Sequence, residues 1–127
     1  MSKFLKTIDT KNMGFYRFPK FLFTNRKYKN ISIDAKVLYM LLLDRMCLSD
    51  KNKLQDEQEE VFLYFTQKEV MKLLGYAHGK VSRLFKELSL AKLIYRDKSG
   101  NGRAHRIYMM KSSDFCEQES VEDEEET

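Results

Sequence analysis

The side chains best suited to binding chemistry lie between residues 78 and 91, where cationic and apolar residues alternate at helical spacing. The residues of this segment that could face a polyanion are His78, Lys80, Ser82, Arg83 and Lys86. Arg can make a bidentate contact to the O6 and N7 atoms of guanine, and Lys can reach a guanine or a phosphate. The alternative is that these residues are only the solvated face that every amphipathic surface helix has. Because Glu87 is the one acid among them, we favour contact with DNA.

A second basic group surrounds the stretch Lys98-Ser99-Gly100-Asn101-Gly102-Arg103. Gly and Asn tolerate the positive φ angles of a tight turn, which predicts the tip of a hairpin here. The cations at or next to this tip are Lys98, Arg103, His105 and Arg106. Such a tip can lie against phosphates or insert Arg into a narrow minor groove. The alternative is an ordinary basic turn.

Catalytic and metal-binding patterns are absent from the sequence. It contains no GxxxxGK[ST] phosphate loop, no GxSxG and no HExxH. His78 and His105 have no Cys or carboxylate cluster at ligand spacing, so we predict no metal site. The carboxylates of residues 56–60 are expected to stay in a solvated loop and to need no tuned pKa values. The sequence therefore indicates a binding protein with no enzymatic activity, no cofactor and no small-molecule substrate.

The elements that must position these cations follow the order of a winged helix-turn-helix. Ser32 is a predicted N-cap, residues 66–69 form a capping box, and Gly75 is placed to end a helix. Ala77 stands where a Ser or Thr N-cap is usual, which costs on the order of 1 kcal/mol. The predicted elements are a helix from Ser32 to about Leu48, a strand over Val61–Phe65, a helix from Thr66 to Gly75, a helix from about His78 to Ala91, and strands over Leu93–Arg96 and Arg106–Met109.

The N-terminal segment is basic and aromatic. Its alternation over residues 15–18, followed by Pro19, predicts an edge strand that packs on the helices or against a second protomer. Aromatic residues among cations can also stack on single-stranded bases. We favour packing and dimerisation, and the predicted dimerisation residues are Phe15, Tyr16, Phe18, Phe21 and Phe23.

Charge divides the chain into three parts: an arm over residues 1–31, a folded domain over 32–113 and an acidic tail over 114–127. Residues 1–113 carry all 23 Lys and Arg against 11 acids, a surplus of +12, which favours a nucleic-acid partner. The tail has too little apolar surface to fold alone. The expected fold class is α+β, a winged helix-turn-helix with an aromatic, basic N-terminal strand and a disordered acidic tail. The sequence has two cysteines, 69 positions apart with no CxxC, and no long apolar run, which predicts a cytoplasmic protein that does not enter membranes.

Several segments together resemble the plasmid replication initiators of Gram-positive bacteria that share the RepA N-terminal domain. The most specific segment is FYRFPKFLF at residues 15–23, and YKNIS, DAKVLY and LLLDRM follow at 28–32, 34–39 and 41–46. Thr66 with Glu69, the FKEL of residues 85–88 and the RIY of residues 106–108 agree with the same family. The resemblance covers about Phe15 to Lys111.

The resemblance implies a winged helix that binds repeated sites, called iterons, at a plasmid origin inside the initiator's own coding sequence. It also implies a homodimer formed through this domain, and dimers that can pair origins and restrain copy number. Full members carry a further C-terminal domain, and the acidic tail looks like the start of the linker to it. Two alternatives stay open: a winged-helix transcriptional regulator, and a protein-interaction winged helix whose basic face docks an acidic partner or the chain's own tail.

Overall fold

A computed structural model describes residues 3–98 and 105–111 of the chain. Five α-helices, one 3₁₀ turn and a two-stranded antiparallel sheet are found in these residues. In chain order they are α1 (Thr7–Thr10), α2 (Phe21–Thr24), the 3₁₀ turn (Arg26–Tyr28), α3 (Ile33–Lys51), α4 (Gln67–Leu74), α5 (His78–Leu90), β1 (Ile94–Asp97) and β2 (Arg106–Met109). This is the winged helix-turn-helix order that the sequence predicts, with α4 and α5 as the helix pair and β1–β2 as the wing.

Helix α3 is the centre of the core. The Ser32 hydroxyl accepts from the Ala35 amide at 3.1 Å, which confirms the predicted N-cap. Its apolar residues cover most of its circumference, so it buries Leu38, Leu41 and Leu42 against several neighbours at once. It continues to Lys51, beyond the predicted end at about Leu48, and it buries Ser49.

The helix pair begins and ends where the local sequence signals indicate. Thr66 and Glu69 form the capping box: the Glu69 amide donates to Thr66 Oγ1 at 3.1 Å, and the Thr66 amide donates to Glu69 Oε1 at 2.9 Å. Gly75 ends α4 at φ 72°, in the left-handed region that a side chain rarely adopts. Helix α5 then buries one stripe, which consists of Val81, Leu84, Phe85 and Leu88.

The predicted strand over Val61–Phe65 is wrong as a continuous element. Leu63 pairs with Ile107 of the wing through two hydrogen bonds of 2.9 Å, and Val61 makes an isolated bridge to Gln55. The neighbouring backbone groups have other partners: the Phe62 amide donates to the Leu54 carbonyl, and the Tyr64 carbonyl accepts from an arginine of α3. Because the hydrogen bonds of this segment are shared among three parts of the fold, no ladder forms.

The predicted strand over residues 15–18 is also absent from the described structure. Pro19 instead precedes α2, and the Leu22 amide donates to the Pro19 carbonyl at 3.4 Å, so the proline begins a helical turn, a position that suits its fixed φ. Arg17 reaches the Cys47 sulfur on α3. The arm therefore joins the core through α2, which buries Phe21 and Leu22.

Candidate nucleic-acid interface

The outward face of α5 presents two cations. Arg83 and Lys86 are exposed, and neither makes an ion pair with any of the residues that the structure describes. Both lie opposite the buried stripe of α5, which faces the core. A Cβ at Gly79, one turn earlier, would have Arg83 Nη1 as its nearest neighbour at 3.8 Å, so no bulky side chain covers this face. The two cations are therefore accessible to a large anionic ligand.

Lys80 has a different environment from the one that the sequence predicts. Its ammonium forms an ion pair with Asp34 at 2.9 Å and lies 4.0 Å from the centre of the Tyr76 ring. The Tyr76 hydroxyl donates to the same carboxylate at 2.7 Å. The hydrogen bond from Lys80, followed by that from Tyr76, lowers the pKa of Asp34, and the pKa of Lys80 is raised in turn. Lys80 thus joins α5 to the first turn of α3.

Glu87 also contacts the start of α3. It lies on the same flank of α5 as Lys80. Its carboxylate accepts from the Ser32 amide at 2.6 Å and from the Ser32 hydroxyl at 2.8 Å. An acid at the positive end of a helix is favourable, and here it satisfies an amide that α3 itself cannot satisfy. The sequence carries a signal for this docking, since Lys80 and Glu87 are two helical turns apart and share one flank.

A groove of about 460 Å³ runs between α5 and the wing. The predicted residues Ser82, Lys86 and Lys98 line it, so the structure brings these three together. Arg96 of β1 lines it as well and is a residue that the sequence analysis missed. Its guanidinium lies over the Phe85 ring at 4.6 Å, and burial lowers the pKa of Arg96. The groove is basic along both walls.

The other predicted cations do not join this groove as a group. Arg106 pairs in register with Asp97 and lies over the Phe62 ring at 4.4 Å, on the opposite face of the wing from Arg96. Hydrogen bonds to Tyr108 and Tyr64 raise the pKa of Arg106. His78 is exposed at the first residue of α5, and Arg103 lies outside the described residues.

Asp56 was expected to be a solvated carboxylate with an ordinary pKa, but the structure gives it three hydrogen-bond donors and a lowered pKa. Its Oδ1 atom accepts from the amides of Gln58 and Glu60, both at 2.9 Å, and its Oδ2 atom accepts from the Tyr108 hydroxyl at 2.9 Å. The Glu60 amide is the largest cause of a lowered pKa at Asp56. The loop is thus fastened to the outer face of the wing by a carboxylate that favours its charged form.

The predicted dimerisation residues fall into two sets. Phe21 belongs to the monomer core, where its ring packs on Tyr28 at 5.4 Å and on Tyr39 at 5.8 Å, so it cannot meet a second protomer. Its place at the first residue of the short helix α2 turns it towards the core. The other four are exposed: Phe15, Tyr16, Phe18 and Phe23.

The residues that the structure describes hold no group of three or more metal-binding side chains. Within the same residues, no helix has the length and apolar character needed to cross a membrane.

A helix pair packed on a central helix, with a two-stranded wing beside the second helix of the pair, defines a winged-helix protein. The family model described as the N-terminus of replication initiator protein A (RepA) matches residues 14–122 of the chain. The chain belongs to this RepA N-terminal family. A curated relative, a "41 kDa protein" of Lactobacillus helveticus, is 38% identical over 74 residues, which are 58% of this chain and 21% of the relative. The chain thus spans about a fifth of the length of that relative.

Solved structures share the whole fold. The chain is similar to a structure titled "N-Terminal domain of DNA binding protein", with a TM-score of 0.73, 25% identity, and coverage of 97% of this chain and 96% of the other. It is similar to a "Structure of Rep-DNA complex" with a TM-score of 0.73, 26% identity, and coverage of 98% and 100%. It is also similar to a "Structure of MDR initiator", with a TM-score of 0.71, 26% identity, and coverage of 97% of this chain and 100% of the other.

Proposed function

We propose that this chain is the DNA-binding domain of a plasmid replication initiator, and that it binds double-stranded DNA by inserting α5 into the major groove. The observation that carries the proposal is the exposed pair Arg83 and Lys86, which no described carboxylate neutralises, on the second helix of a helix-turn-helix. In such a motif this helix enters the major groove and reaches base edges. The RepA family membership and the similarity to a Rep–DNA complex support the same role.

In this proposal the cations have separate tasks. Arg83 reads a base edge, and Lys86 with Ser82 and Lys98 follows the backbone along the groove between α5 and the wing. His78 approaches the DNA from the first turn of α5, and the basic wing, including Arg103, contacts the phosphates or the minor groove. Lys80 and Arg106 contribute to the positive field rather than to direct contacts, since each already has partners within the fold.

The proposed target is a set of repeats at a plasmid origin within the initiator's own coding sequence, bound by a homodimer with one α5 per half-site. Family membership supports this target, and a dimer has a natural place in it because two-fold proteins read half-sites one helical turn apart. We also propose that the domain acts in the cytoplasm and has a binding role rather than an enzymatic one.

A double variant tests the proposal. Fluorescence anisotropy is measured with a duplex that carries the coding-region repeats, for the wild type, for Arg83→Ala/Lys86→Ala, and for the control Lys29→Ala/Lys51→Ala. The control removes the same charge from exposed positions outside α5 and the wing. We expect at least a tenfold loss of affinity in the first variant and a much smaller loss in the control. Equal losses in the two variants would mean that only net charge matters, and would contradict the proposal.

A further inference from the structure

Arg96 carries a half-buried guanidinium without an anionic or hydrogen-bonding partner among the residues that the structure describes. Its contact is the face of the Phe85 ring at 4.6 Å, and its pKa is lowered by burial alone, with no compensating hydrogen bond or charge. Taking a cation out of water is costly unless an anion or hydrogen-bond acceptor replaces the lost hydration. An aromatic face offsets part of that cost but satisfies none of the five N–H donors.

Other arginines packed on aromatic rings in the described structure are satisfied. Arg45 lies 4.1 Å from the Phe65 ring centre, and it also donates to the Tyr64 carbonyl at 2.9 Å and pairs with Glu69 at 3.5 Å. Arg106 lies over Phe62 and is stabilised in its charged form by two tyrosine hydroxyls. Of these three arginines, Arg96 alone packs on a ring without a hydrogen-bonding or anionic partner in the described residues.

Arg96 also occupies a junction of three elements. On one side it lines the groove that holds Lys86 and Lys98, between α5 and the wing. On the other side it lines a cavity of about 210 Å³ together with Thr66 and Gln67, at the start of α4. His105 lines the same cavity. The Glu69 carboxylate in the first turn of α4 accepts from the Thr66 amide and pairs with Arg45, so the positive charge available to an anion at this junction comes from Arg96 and, along the groove, from Lys86 and Lys98.

We propose that Arg96 is a phosphate-binding residue, and that a backbone phosphate of the bound duplex completes its hydrogen bonds at the junction of α4, α5 and the wing. This inference rests on the proposed DNA-binding function. It adds a specific contact, at which the wing and the helix pair together bind one phosphate of a DNA strand. The planar guanidinium can donate two parallel hydrogen bonds to a phosphate. Because Phe85 already fixes the plane of the guanidinium, little ordering remains when the phosphate arrives.

The test uses Arg96→Met, which keeps an unbranched apolar stem against Phe85 and removes the charge, with Lys51→Met as the charge-matched control. Lys51 is exposed at the last residue of α3, away from the α5 contacts at the other end of that helix. Anisotropy is measured over a range of salt concentrations with the repeat duplex and with a shuffled duplex. We expect Arg96→Met to lose roughly tenfold in affinity for both duplexes. The slope of log K against log salt should fall by about one, with no such change in the control.

Arg96→Lys provides the second readout. It retains the charge but loses the bidentate geometry, so we expect weaker binding than wild type with an unchanged salt slope. If Arg96→Met does not fold, Arg96→Lys alone tests the phosphate site. Wild-type affinity in Arg96→Lys would then overturn the proposal.

These measurements distinguish a failure of the phosphate site from a failure of the proposed DNA-binding function. Wild-type affinity and slope in Arg96→Met would overturn the phosphate site and leave DNA binding intact. A loss confined to the repeat duplex would make Arg96 a reader of base sequence, which would also overturn the proposal. A wild-type protein that binds neither duplex would refute the proposed function and this site with it.

Discussion

Lys80 and Arg83 are neighbours on α5, yet their surroundings give them different roles. Lys80 is held by Asp34 and Tyr76, while Arg83, one turn further along α5, has no carboxylate partner in the described structure. Their substitution should therefore give different results. We expect Lys80→Ala to act mainly on folding stability and Arg83→Ala mainly on recognition.

If Arg83 is bidentate to a guanine, Arg83→Ala should cost about 1–3 kcal/mol of binding free energy and relax specificity at a single base position. The measurement is the affinity for the repeat duplex and for duplexes that are mutated one base pair at a time, with Lys80→Ala as the comparison. A loss of the same size on every duplex would instead assign Arg83 to the phosphate backbone.

The cluster of Asp34, Lys80 and Tyr76 predicts a pH dependence on the acid side. The pKa of Asp34 is lowered in the fold, chiefly by the Lys80 hydrogen bond and then by Tyr76, from an ordinary value of 3.8. A group with a depressed pKa stabilises the fold above its unfolded pKa and loses that contribution as the pH falls through the folded pKa. Wild type should therefore be more stable than Asp34→Asn at neutral pH, and the difference should shrink as the pH falls below about 3.8.

Urea unfolding of both proteins over a series of pH values measures this difference. If the gap between wild type and Asp34→Asn stays constant down to the lowest pH at which both proteins fold, the coupling of Asp34 to Lys80 does not contribute to stability.

The outward face of α5 could be predicted from the sequence because helical periodicity alone separates it from the buried stripe. The roles within that face could not. Lys80 and Glu87 look like solvated residues until α3 is folded beside them, since their partners Asp34 and Ser32 are remote in the chain. Arg96 was missed for a similar reason, because its burial depends on how the wing packs against Phe85.

At the scale of elements, the N-terminus of α5 lacks the side-chain cap that stabilises the N-terminus of α4. Ala77 has the extended backbone of an N-cap, with φ −77° and ψ 163°, but it has no side-chain oxygen for the first amides of the helix. Thr66 supplies this hydrogen bond at the equivalent position of α4. A hydroxyl-bearing side chain at residue 77 could therefore add a capping hydrogen bond that α5 now lacks.

Ala77→Ser should stabilise the protein by about 1 kcal/mol, because a serine hydroxyl at an N-cap can accept from an amide of the first turn. Thr66→Ala should destabilise it by a similar amount. The free energies of unfolding in urea check both expectations. A decrease in stability for Ala77→Ser would show that the first turn of α5 does not have the N-cap geometry described above.

Elements with local signals were predicted well, and elements defined by distant partners were not. The caps at Ser32 and Thr66 and the left-handed Gly75 fix helix boundaries from neighbouring residues alone. The aromatic and β-branched residues of the segment 61–65 predict a strand. Its actual hydrogen bonds depend on where the wing, α3 and residue 54 lie, and no local pattern contains that information.

At the scale of the whole molecule, the exposed aromatic residues of the arm support the proposed homodimer. Phe15 is 69% exposed and Tyr16 is 49% exposed, whereas Phe21 and Leu22 are needed in the core. Removal of residues 1–23 would take these two core residues with it, so a loss of the dimer could not be separated from a loss of the fold. Point substitutions of exposed positions can test it.

If the proposed dimer forms through these aromatic residues, Phe15→Ser/Tyr16→Ser should be a monomer, because the double substitution removes apolar surface that two protomers would bury together. Light scattering gives the mass, and Leu73→Ser, which alters an exposed apolar residue of α4, is the control. A dimer that survives the double substitution would place the interface on another surface.

The charge distribution of the whole chain attracts any polyanion, since residues 1–113 have a surplus of +12. Attraction of this kind is independent of sequence, so specificity for the repeats is the central claim. The most direct measurement is the anisotropy of the wild-type protein with a repeat duplex and with a shuffled duplex of equal length, at near-physiological salt. We predict a preference of about 10³-fold or more for the repeats, within the range of specific DNA-binding proteins. Equal affinities that fade together as salt is raised would contradict sequence-specific origin binding and leave a nonspecific basic surface.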